Sequence, residues 1–208
     1  MLDDSMGPVG NRGVLARALG RGYFPHQLSW LIDNPLRRLL LTPGQLADRL
    51  PLSESSDVLE VGPGSGYFSA ELARRVPQGS LELLDVQSEM LAKAKRKLQS
   101  GRYRNVGYTT HDASERLPFP DESFDVAVLV AVLGEIPNAQ SCLTEHFRLL
   151  RPGGVLAVHE HVPDPDRIPF EELRTLVEAC GFRFCQRWGP LWNYTATFER
   201  PLPAKGAV

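Results

Sequence analysis

Three glycines at alternate positions, Gly62, Gly64 and Gly66, follow an acidic residue in the run Leu59-Glu60-Val61-Gly62-Pro63-Gly64-Ser65-Gly66-Tyr67. Glycine admits a tight turn and lets a ligand approach the backbone, so such a loop between a strand and a helix can cradle a ligand. Nineteen residues beyond Gly66 stands Asp85, at the carboxyl end of the apolar run LELLDV. A carboxylate there can accept hydrogen bonds from both hydroxyls of a ribose. Loop and aspartate together describe a site for an adenosine-type ligand. The plainer reading, a tight strand–helix turn followed by a solvated aspartate, is the weaker of the two.

Two ligands compete for that description. A dinucleotide fingerprint wants G-x-G-x-x-G, and its third glycine would fall where this chain has Tyr67. The spacing here is G-x-G-x-G, with Glu60 just ahead of it. A pyrophosphate gains from an uncluttered helix N-terminus, and no basic residue follows the loop until Arg74. S-adenosylmethionine carries no phosphate but has a sulfonium and an amino group, so it tolerates a nearby glutamate. The spacing favours S-adenosylmethionine over a nicotinamide dinucleotide.

The elements that must hold this loop alternate along the chain. VLEVG (58–62) predicts a strand and Phe68–Val76 a helix; LELLDV (81–86) and the amphipathic SEMLAKAKRKL (88–98) repeat the pair. VGYTT (106–110) predicts a third strand, and FDVAVLVAV (124–132) a fourth, apolar throughout as a strand buried on both faces should be. A helix over 139–150, an RPGG turn at 151–154 and the strand VLAVHEH (155–161) follow. Such alternation implies right-handed βαβ units and a parallel sheet covered on both faces. The tail differs: a helix at 171–182 is stopped by Gly181, and FRFCQRW and NYTATFE form a hairpin at one sheet edge. Residues 1–50 form an arm and helical cap, with a helix opening at Pro43; 51–200 form the ligand-binding domain and 201–208 a tail.

Composition narrows the function classes. The chain has 208 residues, 42% of them hydrophobic and 23% charged, with net charge −2. That suits one globular domain with an appendage and excludes bulk disorder. A near-neutral chain lacks the basic stripe of a nucleic-acid binder, and no apolar stretch is long enough to span a bilayer. The opening residues MLDDSMGPVG lack an apolar core segment, so no secretory signal is expected and a cytoplasmic setting is. Cys142, Cys180 and Cys185 form no CxxC pair and no even disulfide framework. They are expected as free thiols, and no metal site is expected.

From about Asp57 to Arg200 the chain resembles class I S-adenosylmethionine-dependent methyltransferases, above all the group that includes ubiquinone/menaquinone C-methyltransferases. The resemblance rests on VLEVGPGSGYFS, LELLDVQSEML, HDASERLPFPDESFD, LRPGGVLAV and ACGF…NYTATFERP. It implies a Rossmann-like, doubly wound α/β fold of seven strands, order 3-2-1-4-5-7-6, with strand 7 antiparallel. It implies S-adenosyl-L-methionine as cofactor and S-adenosyl-L-homocysteine as product. Glu60, Gly62, Gly64, Gly66 and Tyr67 would surround the methionine part, Asp85 with Val86 and Gln87 the ribose, and Asp112 and Ala113 the adenine. Many relatives carry a His-His pair where this chain has Gly134-Glu135, so no role of those histidines transfers.

Methyl transfer from a sulfonium needs alignment more than acid–base help, and the sequence advertises no clear base. Glu135, His161 and His26 are the weak catalytic candidates. His111, beside the adenine position, reads as an accident of place. Trp188, Trp192 and Tyr194 read as core and edge aromatics. The expected partner is a small methyl acceptor of apolar character; oligomeric state is silent. Two rivals stay open: an NAD-dependent oxidoreductase, disfavoured by Tyr67, and a non-catalytic S-adenosylmethionine-binding module.

Overall fold

The computed structural model describes residues 41–203. Thr42 opens the first helix, α1 (Pro43–Asp48), through a capping box with Gln45, and Pro43 sits in the first turn where its missing N–H is not needed. Alternation then proceeds as β1 (Asp57–Val61), α2 (Ser69–Arg75), β2 (Ser80–Asp85), α3 (Ser88–Ser100), β3 (Val106–Thr110) and β4 (Phe124–Val130). It continues through α4 (Ala139–Leu149), β5 (Leu150–His161), α5 (Phe170–Ala179), β6 (Arg183–Trp188) and β7 (Asn193–Glu199). The seven strands make one sheet of order β3-β2-β1-β4-β5-β7-β6. The first five pair in parallel, and β7 runs antiparallel to β5 and β6 on either side of it. This is the order and the antiparallel strand that the resemblance implied.

Central β4 shows why its sequence is apolar without alternation. Val126, Val128 and Val130 pack on the face covered by α1, α2 and α3, whereas Ala127 and Leu129 pack on the face covered by α4 and α5. From Val126 on the strand is buried on both sides and carries no polar residue, while Asp125 near its start pairs with Arg151. In α3, Met90, Leu91, Ala94 and Leu98 are buried and the lysines between them face outward, the stripe a surface helix needs. Arg151–Gly154 differ from the expected simple turn. β5 already begins at Leu150, and the register steps from Phe124↔Leu150 to Val126↔Val155. Gly153 donates to the Arg200 carbonyl and Arg200 donates to the Gly154 carbonyl, both at 2.8 Å. The two glycines therefore shape a bulge within the strand, next to the chain leaving β7.

One arginine fastens the loop between β3 and β4 to α4. Arg148 donates to Glu145 Oε2 (2.9 Å) and to the Phe119 (3.0 Å) and Leu117 (3.3 Å) carbonyls, and pairs with Asp121. Glu145 in turn accepts from the Leu117 amide at 2.7 Å. Arg148→Met leaves the buried Glu145 with the Leu117 amide as its remaining donor and takes the donor from two carbonyls. It is expected to lower stability by about 2–3 kcal/mol, seen as a lower urea midpoint with unchanged slope. A midpoint within error of wild type would show that the network is replaced by water.

Candidate cofactor site

The carboxyl ends of β1, β2 and β4 open onto one cavity, at the place where an open parallel sheet binds ligands because the strand order reverses there. Gly62 leaves β1 with φ +63°, and its amide donates to the Leu84 carbonyl at 2.8 Å. A Cβ at this position would run into the Val132 side chain. The backbone is thus pinned between two strands, with no room for a side chain. Glu60, 2% exposed, accepts from the Ser69 hydroxyl at 2.6 Å. Ser69 is the first residue of α2, so a buried carboxylate lies against the positive end of that helix.

Asp85 ends β2. Its Oδ1 accepts from the Gln87 amide at 2.9 Å, and the His111 amide donates to its carbonyl at 3.1 Å, which brings the segment after β3 to the cavity. Burial pushes the Asp85 carboxyl up from 3.8 to about 6, against the smaller opposing effect of backbone donors from Gln87 and Val86. On the far wall, β4 is followed by Ala131 at φ +53°, a region L-residues rarely occupy and one that clusters at functional sites. Its amide donates to the His159 carbonyl at 2.8 Å. A short 3₁₀ turn, Leu133–Glu135, follows.

Of the residues singled out in the sequence, Glu60, Gly62, Gly64, Asp85, Val86, Gln87 and Ala113 line the cavity, as does Glu135. Gly66, Tyr67 and Asp112 do not line it. Gly66, at φ +80°, lies where a Cβ would meet Ala94 of α3 at 3.2 Å; its place is helix packing beneath the loop. The Tyr67 ring stands edge-on to Phe68 and under Lys97. Asp112 accepts from the Ser114 amide (2.8 Å) and hydroxyl (2.7 Å), holding its own turn. His161 lies at the end of β5, outside the cavity wall, and His26 falls outside the described residues.

Several lining residues carried no signal in the sequence. Phe68, Met90, Val130, Val132 and Ile136 supply apolar walls, and each sits in a pattern that reads as ordinary core. His111 is in the wall too, though position alone had given it no role. Gly134 also finds its reason here: a Cβ would strike the Asp166 carbonyl. The chain after β5 crosses directly over this glycine.

Three carboxylates (Glu60, Asp85, Glu135) face the cavity, and none of its described lining is lysine or arginine. That set suits a ligand with hydroxyl and cationic groups and a flat apolar ring, and is ill suited to a pyrophosphate. Burial of Asp85 makes a separate, testable statement about the ligand-free chain. The folded state keeps the Asp85 proton where the unfolded chain, with its ordinary value of 3.8, has released it. The contribution of this group is therefore full below about pH 4 and is lost as pH rises to about 6. Urea titrations of wild type and Asp85→Asn are expected to show the wild-type deficit growing across that window. A pH-independent difference would contradict the buried carboxyl.

Comparison with known proteins agrees with this geometry. Residues 58–154 match the family described as Methyltransferase domain. The chain is 34% identical over 136 residues to the ubiquinone/menaquinone biosynthesis C-methyltransferase UbiE of Vibrio vulnificus, covering 64% of this chain and 50% of that protein. It is 38% identical over 105 residues to the UbiE of Pasteurella multocida, covering 50% and 39%. The chain thus spans about half the length of the curated relatives it matches. Among solved structures, a SAM-dependent methyltransferase from Aquifex aeolicus superposes with TM-score 0.78 at 23% identity, over 85% of this chain and 98% of that one. The [4+2]-cyclase SpnF superposes with TM-score 0.67 at 21% identity, over 77% and 80%. These two likenesses concern the fold. Glycine loop, strand order and family match converge: residues 58–154 match the methyltransferase domain family, within a chain that has the fold of a SAM-dependent methyltransferase.

Proposed function

We propose that the protein transfers a methyl group from S-adenosyl-L-methionine to a small acceptor by in-line displacement. The observation that carries this is the cavity itself, acidic and free of lysine and arginine at the carboxyl ends of β1, β2 and β4. When bound, S-adenosylmethionine supplies a methyl already activated on a sulfonium. The loop from Gly62 to Gly64 receives the methionine part, with Glu60 near its cationic groups. Asp85 accepts from the ribose hydroxyls, flanked by Val86 and Gln87. Ala113 borders the adenine, and Asp112 acts by holding the turn that presents it. Gly66 and Tyr67 serve through packing beneath the loop. Holding both reactants aligned is worth roughly 7–11 kcal/mol in such reactions, so no base need touch the acceptor. Glu135 is the carboxylate placed to meet an acceptor proton or the sulfonium.

The apolar walls favour a small, largely apolar acceptor. The names of the curated relatives favour C-methylation of a quinone-type ring, and a cytoplasmic setting suits such an enzyme. Among the described residues no helix is long and apolar enough to cross a membrane. A second reading has its own observation. A protein named as a [4+2]-cyclase shares the fold, so the fold alone does not fix methyl transfer as the reaction.

Calorimetric titration with S-adenosylmethionine, S-adenosylhomocysteine and NAD tests the reading. Micromolar binding of both adenosyl ligands, about the usual range for such sites, with none of NAD is expected. NAD binding without adenosyl binding would return the chain to the oxidoreductases. Adenosyl binding with no S-adenosylhomocysteine release across a panel of phenolic, quinol and amine acceptors would favour the non-catalytic module.

A further inference from the structure

A second polar cluster lies one strand beyond the cavity, on the face covered by α1. Arg49 follows α1 and reaches across the sheet, its Nη1 donating to Thr195 Oγ1 at 2.6 Å. Thr195 is fully buried, and its hydroxyl also meets His159 Nδ1 at 3.0 Å. The His161 ring stacks on His159, with centroids 5.6 Å apart. Among the described residues no carboxylate pairs with the half-buried Arg49, and burial lowers its pKa from the ordinary value. A cation held partly out of water with no counter-charge is unfavourable unless something else supplies the anion.

Position says where that anion would come from. His159 lies beside Val130 in the parallel register of β4 and β5, and Val130 lines the cavity. The His159 carbonyl also accepts from Ala131 of the same wall. The cluster stands at the carboxyl ends of β4 and β5, beside the end of the cavity formed by β4. A guanidinium with one nitrogen fixed on Thr195 retains further donors in a planar fork suited to an oxyanion.

We propose that Arg49, steadied by Thr195 and backed by His159, is the subsite for an oxyanion on the methyl acceptor. The acceptor would have an apolar body and one carboxylate or phenolate oxygen. Its identification as an acceptor subsite rests on the methyltransferase reading above. The simpler role, in which Arg49 only ties α1 to β7, makes a different prediction, because a tie has no preference for charged ligands.

The test uses the full chain, with and without saturating S-adenosylhomocysteine, titrated with benzoate, 4-nitrophenolate and neutral methyl benzoate. Wild type is expected to bind one of the two anions at least about tenfold more tightly than the ester; which anion it prefers separates a carboxylate from a phenolate acceptor. Arg49→Gln is expected to erase that preference and leave ester binding unchanged, and Arg49→Lys to restore part of it. Equal binding of anions and ester by wild type overturns the proposal without any variant. Equal weakening of all three probes in Arg49→Gln overturns it in favour of the structural tie. If S-adenosylhomocysteine fails to bind, the cofactor reading falls, while the anion comparison is still decided on the ligand-free chain.

Discussion

Gly62→Ala is expected to abolish measurable binding of S-adenosylmethionine and to lower stability by about 2–5 kcal/mol. Two effects add. At φ +63° an L-residue occupies the left-handed region, which is unfavourable by roughly 1–2 kcal/mol. The new Cβ also runs into Val132, and overpacking a tight contact adds about 1–3 kcal/mol. The backbone cannot yield easily, because the Gly62 amide is bonded to Leu84 and so fixed to β2. Val132 must move instead, and Val132 is itself in the cavity wall. Loss of binding and loss of stability therefore share one cause. The double variant Gly62→Ala/Val132→Ala is expected to regain the part due to collision and keep the part due to φ, a coupling that a double-mutant cycle measures. Gly64→Ala is the control. Its nearest neighbour would be the Met90 Cε at 3.7 Å, so only the φ +56° strain remains, about 1–2 kcal/mol. If Gly62→Ala and Gly64→Ala behave alike in calorimetry and urea unfolding, the Val132 contact is not what closes the site.

What could be seen in the sequence follows the range of the interactions involved. The inner strands are visible because burial on two faces leaves apolar runs such as VLEV and VAVLV, while NYTATFE shows by its alternation; VGYTT and NYTATFE coincide with β3 and β7. The strand order came from resemblance, since pairing partners leave no periodicity of their own. Gly62 and Asp85 stand out because a tight turn, and the carboxylate proposed for a ribose, need particular residue types at a particular spacing. Gly66 belongs to the same motif, yet its neighbour is Ala94 on a different helix. No local pattern separates a glycine that touches ligand from one that lets two helices approach. The same limit hid the apolar walls, where Phe68 and Met90 obey the helix-core pattern while also bordering a cavity. It hid Gly134 against Asp166, and Arg49 against Thr195 across 146 positions. RPGG was misjudged for a related reason: glycine and proline mark a turn, but whether the chain turns or bulges depends on the strand beside it, here the end of β7.

Asp85→Asn is expected to move stability and binding in opposite directions. Above about pH 6 the folded chain holds an ionised carboxylate at 9% exposure with its proton gone. The rise from 3.8 to about 6 corresponds to roughly 3 kcal/mol of destabilisation at neutral pH. Asparagine is nearly the same shape, keeps an oxygen to accept from the Gln87 amide, and carries no charge to bury. The ligand-free variant is therefore expected to be more stable than wild type at pH 7.5, by up to about 3 kcal/mol, and no more stable at pH 4. Binding goes the other way. In the proposed cofactor pose the ribose hydroxyls would donate to the carboxylate, and a charge-assisted hydrogen bond contributes about 1.5–3 kcal/mol, so the variant is expected to bind S-adenosylhomocysteine about 10–100-fold more weakly. The same logic fixes the pH dependence of the wild type. Accepting from hydroxyls favours the ionised form, so ligand binding expels a proton, and affinity falls as pH drops below about 6. In Asp85→Asn that slope disappears. A variant that is both more stable and weaker-binding at pH 7.5 marks Asp85 as a charge kept buried for its ligand; one that loses stability along with binding would mean the carboxylate holds the fold together.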